Sequence, residues 1–251
     1  MCIIAYKPVG ESFPTKKQFR AMFANNADGC GYMFADGERV QIRKGFMEYE
    51  DFKKSFNRDL RGRTDLAVVF HFRIATHGGV NKAMTQPFPL TAKTKRLKSL
   101  STYADFGIAH NGIIPMTYDA RDISDTALFI QKYMTRICQN GLDSVALDIV
   151  ETCIDSKMAI LEPNGKCHIL GSKWTIENGI YYSNESFRAT YRKWKPTKKT
   201  SYINNNYSWD YTYSYEPFDW SNCDGNCKSC PNYVYCFEPY NDIITPREME
   251  L

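Results

Sequence analysis

Apolar and polar positions alternate most clearly over Asp65–Arg73, where Leu66, Val68, Phe70 and Phe72 take every second place. A period of two belongs to a β-strand and puts His71 and Arg73 together on the opposite face. Shorter strands are predicted at Ile3–Tyr6, Phe106–Ala109 and Gly179–Asn184. Asp36-Gly37 lies between Tyr32–Phe34 and Val40–Arg43, and Asn164-Gly165 between Lys157–Leu161 and Cys167–Leu170. Both dipeptides favour tight turns, so each pair of runs reads as a hairpin. Helical spacing appears in Glu48–Leu60, with Phe52, Phe56 and Leu60 at i, i+4 and i+8. Ser124-Asp125-Thr126 opens a helix toward Asn140 with Gly141 as its stop, and Ser144–Asp155 predicts another. Strands first, then helices, then strands again predict an α+β fold rather than repeated βαβ units.

This patterning ends near residue 188. Arg188–Lys199 holds six cations and no acid, Tyr202–Tyr215 is mostly Tyr, Asn and Ser, and Cys223, Cys227, Cys230 and Cys236 follow as C-x3-C-x2-C-x5-C. The chain therefore divides into a folded domain (1–187), a basic and then Tyr/Asn-rich linker or arm (188–222), and a four-cysteine tail (223–251).

Composition narrows the function classes. The 251 residues are 43% hydrophobic and 24% charged, which is globular. The net charge of +4 conceals eight acids against two bases in residues 201–251, leaving +10 on residues 1–200. That excess attracts anions but is no nucleic-acid signature by itself. No apolar run is long enough to span a membrane, and the first residues lack the basic and apolar regions of a signal peptide. Nine cysteines is an odd count, and the five in the first 170 residues lack framework spacing, which predicts reduced thiols and a cytoplasmic location.

Four segments carry candidate chemistry. Removal of Met1 would leave Cys2 as an N-terminal residue, whose α-amine (pKa roughly 7.7–8) can take the proton of a thiol with pKa roughly 8.5. Alone, Cys2 reads as a small buried hydrophobe at a strand start. His71-Phe72-Arg73-Ile74-Ala75-Thr76-His77-Gly78-Gly79 sets an Arg able to grip a carboxylate before a donor-rich turn. In His110-Asn111-Gly112, the Asn amide and the Gly N–H are donors suited to an oxyanion, although Asn-Gly is equally an ordinary turn. Asp125 suits a substrate ammonium, and equally a helix start.

Taken in order, N-terminal Cys, HFRIATHGG, AHNGI and SDT resemble the glutaminase domain of class II glutamine amidotransferases, which are N-terminal nucleophile hydrolases. The family motifs run close to H-x-R-W-A-T-H-G, H-N-G and S-D-T, and Asn26–Gly31 is similar to the segment near R-G-P-D-x-x-G. The resemblance covers about residues 2–185. It implies a four-layer αββα sandwich, with Cys2 as nucleophile, and Asn111 and the Gly112 N–H as oxyanion hole. It further implies Arg73 on the substrate α-carboxylate, Thr76, His77 and Gly78 lining the pocket, and Asp125 on the α-ammonium. The implied chemistry is thiolate attack on the γ-amide of glutamine, release of ammonia and hydrolysis of a γ-glutamyl thioester, without a cofactor. Two positions depart from the pattern: Ile74 replaces the usual Trp, and Asn25–Gly31 lacks the Arg-Gly-Pro start.

Only about 66 residues follow the resemblance, too few for an ammonia-consuming synthase domain. The ammonia acceptor is then a separate protein, or the chain is a stand-alone γ-glutamyl amide hydrolase, or it is a retired enzyme serving as a scaffold. A metal hydrolase built on His71, His77 and His110 lacks any acidic partner at ligand spacing. The cysteine tail reads as a tetrathiolate site for structural zinc, with a 4Fe-4S cluster as the alternative. Lys93–Lys98 and Arg188–Lys199 are stretches that can touch nucleic acid, and more commonly are solvated faces.

Overall fold

A computed structural model describes residues 2–75, 79–115 and 123–188. These belong to one compact unit, Met1–Thr190. A second unit, Tyr191–Leu251, lies outside the described residues, and with it the arm and the four-cysteine tail.

The fold is mixed α+β with antiparallel sheets. In chain order the strands are β1 (Ile3–Lys7), β2 (Cys30–Ala35), β3 (Val40–Phe46), β4 (Val68–Phe72), β5 (Phe88–Pro89), β6 (Ser101–Ala104), β7 (Gly107–Asn111), β8 (Lys157–Leu161), β9 (Cys167–Leu170), β10 (Thr175–Glu177) and β11 (Ile180–Tyr182). Seven form one sheet in the order β10-β11-β1-β4-β2-β3-β6, and four form a second, β5-β7-β8-β9. The helical elements are α1 (Lys16–Asn25), α2 (Tyr49–Leu60), α3 (Thr94–Leu97), α4 (Asp125–Phe129), α5 (Thr135–Ile137) and α6 (Ser144–Ile154).

The period of two in β4 sorts its side chains between two apolar clusters. Val68, Phe70 and Phe72 pack with Phe19 and Met22 of α1 and Phe52 of α2. Ala67 and Val69 face the other way, into a cluster that joins Ile4, Met33 and Ile42 of the large sheet to Ala109, Ala159 and Leu161 of the small one. A third cluster covers the outer face of the small sheet with Leu128 and Ile130, Met134, and Val150 and Ile154 of α6. Both faces of β4 are therefore buried, and the polar side chains His71 and Arg73 lie at 0% and 3% exposure between the sheets and not in solvent. Burying polar groups there requires hydrogen-bond partners, and those partners define the site described below.

Most elements match the expectation from patterning, and the differences have physical causes. Helix α1 is not among the predicted elements, although Phe19, Met22 and Phe23 have the i, i+3, i+4 spacing of a helix face. It also carries a capping box: the Gln18 N–H donates to Thr15 Oγ1 (3.2 Å), and the Thr15 N–H to Gln18 Oε1 (2.8 Å). Strand β7 extends through His110 and Asn111, two residues beyond the predicted end, since both pair with β8 (His110↔Met158, Asn111↔Lys157). The helix that Ser124 caps does not run uniformly to Asn140; after α4 it widens into a π-helical turn over Ile130–Met134 before α5. The basic stretch Lys93–Lys98 is mostly the helical turn α3, anchored by buried Leu97. Among the described residues no helix is long and apolar enough to cross a membrane.

Candidate functional site

Strands β1, β4 and β7 and the start of α4 bring their chemistry-bearing residues to one cleft. It encloses about 270 Å³ of space, part of it open to solvent, and its lining includes Cys2, Arg73, Gly112 and Asp125.

Cys2 precedes β1, beside β4, where Ile3 pairs with Phe72. Its thiol donates to Ile74 O and accepts from the Ile74 N–H, both at 3.3 Å. Burial pushes the Cys2 thiol pKa up, against the smaller lowering effects of the Ile74 N–H and of Arg73. A thiol held protonated in this way needs a base before it can attack.

Arg73 follows the last residue of β4. Its backbone is tied on both sides to the segment before β2: the Arg73 N–H donates to Gly29 O (2.9 Å) and the Asp28 N–H to Arg73 O (3.0 Å). Asp28 Oδ2 also accepts the Ala75 N–H at 2.7 Å, so the loop leaving β4 is held by a carboxylate. The guanidinium donates to Gly79 O at 2.8 Å. Burial lowers the Arg73 pKa, with Cys2, Asp28 and Asp125 acting in the opposite sense, which sets these groups in one electrostatic neighbourhood.

Asp125 is the first residue of α4, behind the cap Ser124, whose side chain accepts the Ala127 N–H at 3.3 Å. One Asp125 oxygen accepts the Ile114 N–H (3.0 Å) and the other the Thr126 N–H (2.8 Å). A buried carboxylate at a helix N-terminus is favoured by the backbone dipoles, and the first of these bonds ties α4 to the chain leaving Asn111-Gly112.

The Asn111-Gly112 turn is fixed by the residue before it. The His110 N–H donates to Gln86 Oε1 (2.8 Å), and His71 Nε2–H donates to His110 O (3.0 Å). Ser156 Oγ donates to Ile154 O (2.8 Å), so it accepts from His110 Nε2–H (2.6 Å). The proton of His110 is thereby on Nε2, and Nδ1 accepts from Thr126 Oγ1 at 3.0 Å. Gln86 reaches this point because β2 carries a glycine: a Cβ on Gly31 would meet Gln86 O at 2.5 Å. Asn111 itself is 7% exposed, and its amide donates to Ser183 Oγ at 2.9 Å.

Both histidines are neutral. Burial holds the His71 pKa down to about 3 and that of His110 to about 4. His71 Nδ1 has no partner among the described residues, so a second proton there would find no acceptor. The unfolded chain binds these protons near pH 6.5 and the folded chain does not, so stability is fully present above that pH and is lost as pH falls toward 4 and 3. Each histidine is expected to forfeit about 2 kcal/mol by pH 5. Urea unfolding at pH 7.5 and pH 5 measures this, and an unchanged midpoint would contradict it.

The sequence-derived candidates divide as follows. Cys2, Arg73, Gly112 and Asp125 line the cleft, and Asn111 lies next to it in the chain, bonded to Ser183. Thr76, His77 and Gly78 lie outside the described residues, as do Cys223, Cys227, Cys230 and Cys236. Among the described residues no cluster of three metal-ligating side chains occurs. Patterning missed Gln86, Ser156 and Ser183, which have no motif of their own and acquire their roles only through contacts distant in sequence. The chain matches no protein-family model and no curated protein.

Proposed function

We propose that the protein is a glutaminase of the class II amidotransferase type, built as a four-layer αββα N-terminal nucleophile hydrolase. The observation that carries the reading is the convergence of a thiol, a buried cation and a buried carboxylate on one small cleft beside the Asn111-Gly112 turn. These are the groups that a free amino acid with a side-chain amide requires. Arg73 takes the α-carboxylate, Asp125 the α-ammonium, and the γ-amide then lies against Cys2.

Once Met1 is removed, the α-amine of Cys2 accepts the thiol proton, consistent with a thiol that burial keeps protonated. The thiolate attacks the γ-carbonyl carbon, a C–S bond forms, and the carbonyl π pair moves onto oxygen. Asn111 Nδ2–H and the Gly112 N–H donate to that oxyanion. The oxyanion collapses, the C–N bond breaks, and the α-ammonium returns the proton to the departing nitrogen, releasing ammonia. Water then hydrolyses the γ-glutamyl thioester to glutamate and the free thiol. The ammonia passes to a separate acceptor protein.

Intact mass before and after treatment with an electrophilic glutamine analogue tests the reading. The expected result is loss of Met1 and a single adduct. Retained Met1, or no adduct on a chain that has lost it, would overturn it. For the tail, the spacing of Cys223, Cys227, Cys230 and Cys236 supports one zinc per chain. Elemental analysis is expected to return stoichiometric zinc, whereas iron with visible absorbance would replace zinc by a cluster.

A further inference from the structure

Ser183 follows the end of β11 and is 2% exposed. It stands beside β1, and its backbone N–H donates to Ile4 O at 2.9 Å. The Ile4 N–H then donates not to a backbone carbonyl but to Ser183 Oγ, at 2.8 Å. The same oxygen accepts Asn111 Nδ2–H at 2.9 Å. One hydroxyl oxygen thus bridges two sheets, with β1 and its nucleophile-bearing end on one side and β7 with the oxyanion asparagine on the other. Both of its lone pairs are used, which fixes the direction of both donors.

Neighbouring groups brace this bridge. Lys157, opposite Asn111 on β8, donates to Ser183 O at 2.5 Å. Asn184 Nδ2–H donates to Cys2 O at 2.6 Å, while its own Oδ1 accepts the Ser186 N–H at 2.9 Å. The two consecutive residues therefore hold the backbone of the nucleophile and the side chain of the oxyanion donor from one short segment.

We propose that Ser183 is a positioning residue: by taking one amide hydrogen of Asn111 and the N–H of Ile4 on a single oxygen, it aims the second Asn111 amide hydrogen at the acyl oxygen above Cys2. The inference rests on the glutaminase reading for its kinetic consequence and on geometry alone for its structural one. A primary amide has two hydrogens, and spending one on a buried fixed acceptor leaves the other with a single available direction. Without the acceptor, Asn111 rotates about its side-chain torsions and the donor is no longer pre-set, which slows the chemical step rather than binding.

The test uses full-length protein and the variants Ser183→Ala and Ser183→Thr, the second of which keeps the hydroxyl. The side-chain amide resonances of Asn111, assigned by their loss in Asn111→Ala, are recorded with glutaminase kinetics. Ser183→Ala is expected to shift and broaden the Asn111 resonances and to lower kcat about 10- to 100-fold with KM little changed. Ser183→Thr is expected to restore both, and in an Asn111→Ala background the Ser183→Ala effect on kcat is expected to vanish. Unmoved Asn111 resonances would overturn the proposal, as would an equal kcat loss with and without Asn111. A wild-type protein with no glutaminase activity, yet with the resonance shift present, would overturn the functional reading and leave the positioning role standing.

Discussion

Replacing Cys2 by Ala is expected to lower ammonia release from glutamine by at least about 10⁴-fold, because the proposed acyl bond forms on its sulfur. In the proposed mechanism Arg73 and Asp125 bind charge and the Asn111-Gly112 turn supplies hydrogen bonds, while the Ser124 side chain caps α4 and the Thr126 hydroxyl is bonded to His110. Substrate binding should survive, since the carboxylate and ammonium contacts do not involve sulfur. The Ala variant is expected to retain glutamine affinity within a few-fold by calorimetry while its turnover is lost. The cost to stability should be small, about 1 kcal/mol, since among the described residues the thiol makes two long bonds, both to Ile74. Substantial turnover by this variant would remove Cys2 from the chemistry and with it the proposed mechanism.

Gly112→Ala is the second large expected effect, and it acts through sterics. A Cβ at this position would lie 2.4 Å from Ser156 Cβ, 2.8 Å from Ser156 Oγ and 3.3 Å from His110 Nε2. Ser156 cannot turn aside without breaking its bonds to His110 and Ile154. The added methyl must therefore push the turn itself, displacing the Gly112 N–H from the point where the oxyanion forms. The expectation is a kcat reduced by about 10²- to 10³-fold, as for loss of one oxyanion donor, and stability lowered by about 1–3 kcal/mol. Steady-state kinetics with urea unfolding would measure both. A variant with near-normal kcat would mean that the Gly112 N–H is not a donor in the reaction.

Much of this was legible from residue pattern, and what was not has a common cause. The alternation in β4 predicted which of its side chains share a face, but not that both faces are buried, because the second sheet is assembled from segments that follow it in the chain. The hairpins at Asp36-Gly37 and Asn164-Gly165 were marked by their turn residues. Helix α1 was missed although both its capping box, Thr15 and Gln18, and its apolar face of Phe19, Met22 and Phe23 stand in the sequence. At the site, the residues that act directly stand in ordered motifs, whereas those that hold them do not. Ser156 meets His110 across 46 residues and Gln86 meets it across 24, so no local period could announce either contact.

The bond between Ile4 and Ser183 spans 179 residues, and it has a consequence for the timing of chain synthesis. Strand β1 leaves the ribosome first, yet it lies in the sheet between β4 and β11, so it has no neighbour until translation is well advanced. The nucleophile's strand gains its first partner with β4 and its last only when β11 and Ser183 emerge. A nascent chain carries Cys2 from the start but lacks the segment that seats it, so on the proposed function ammonia release would begin only once residues 183 and 184 have been made. Long-range closure of this kind delays folding, so the site's last-made segment sets when the cleft can be completed.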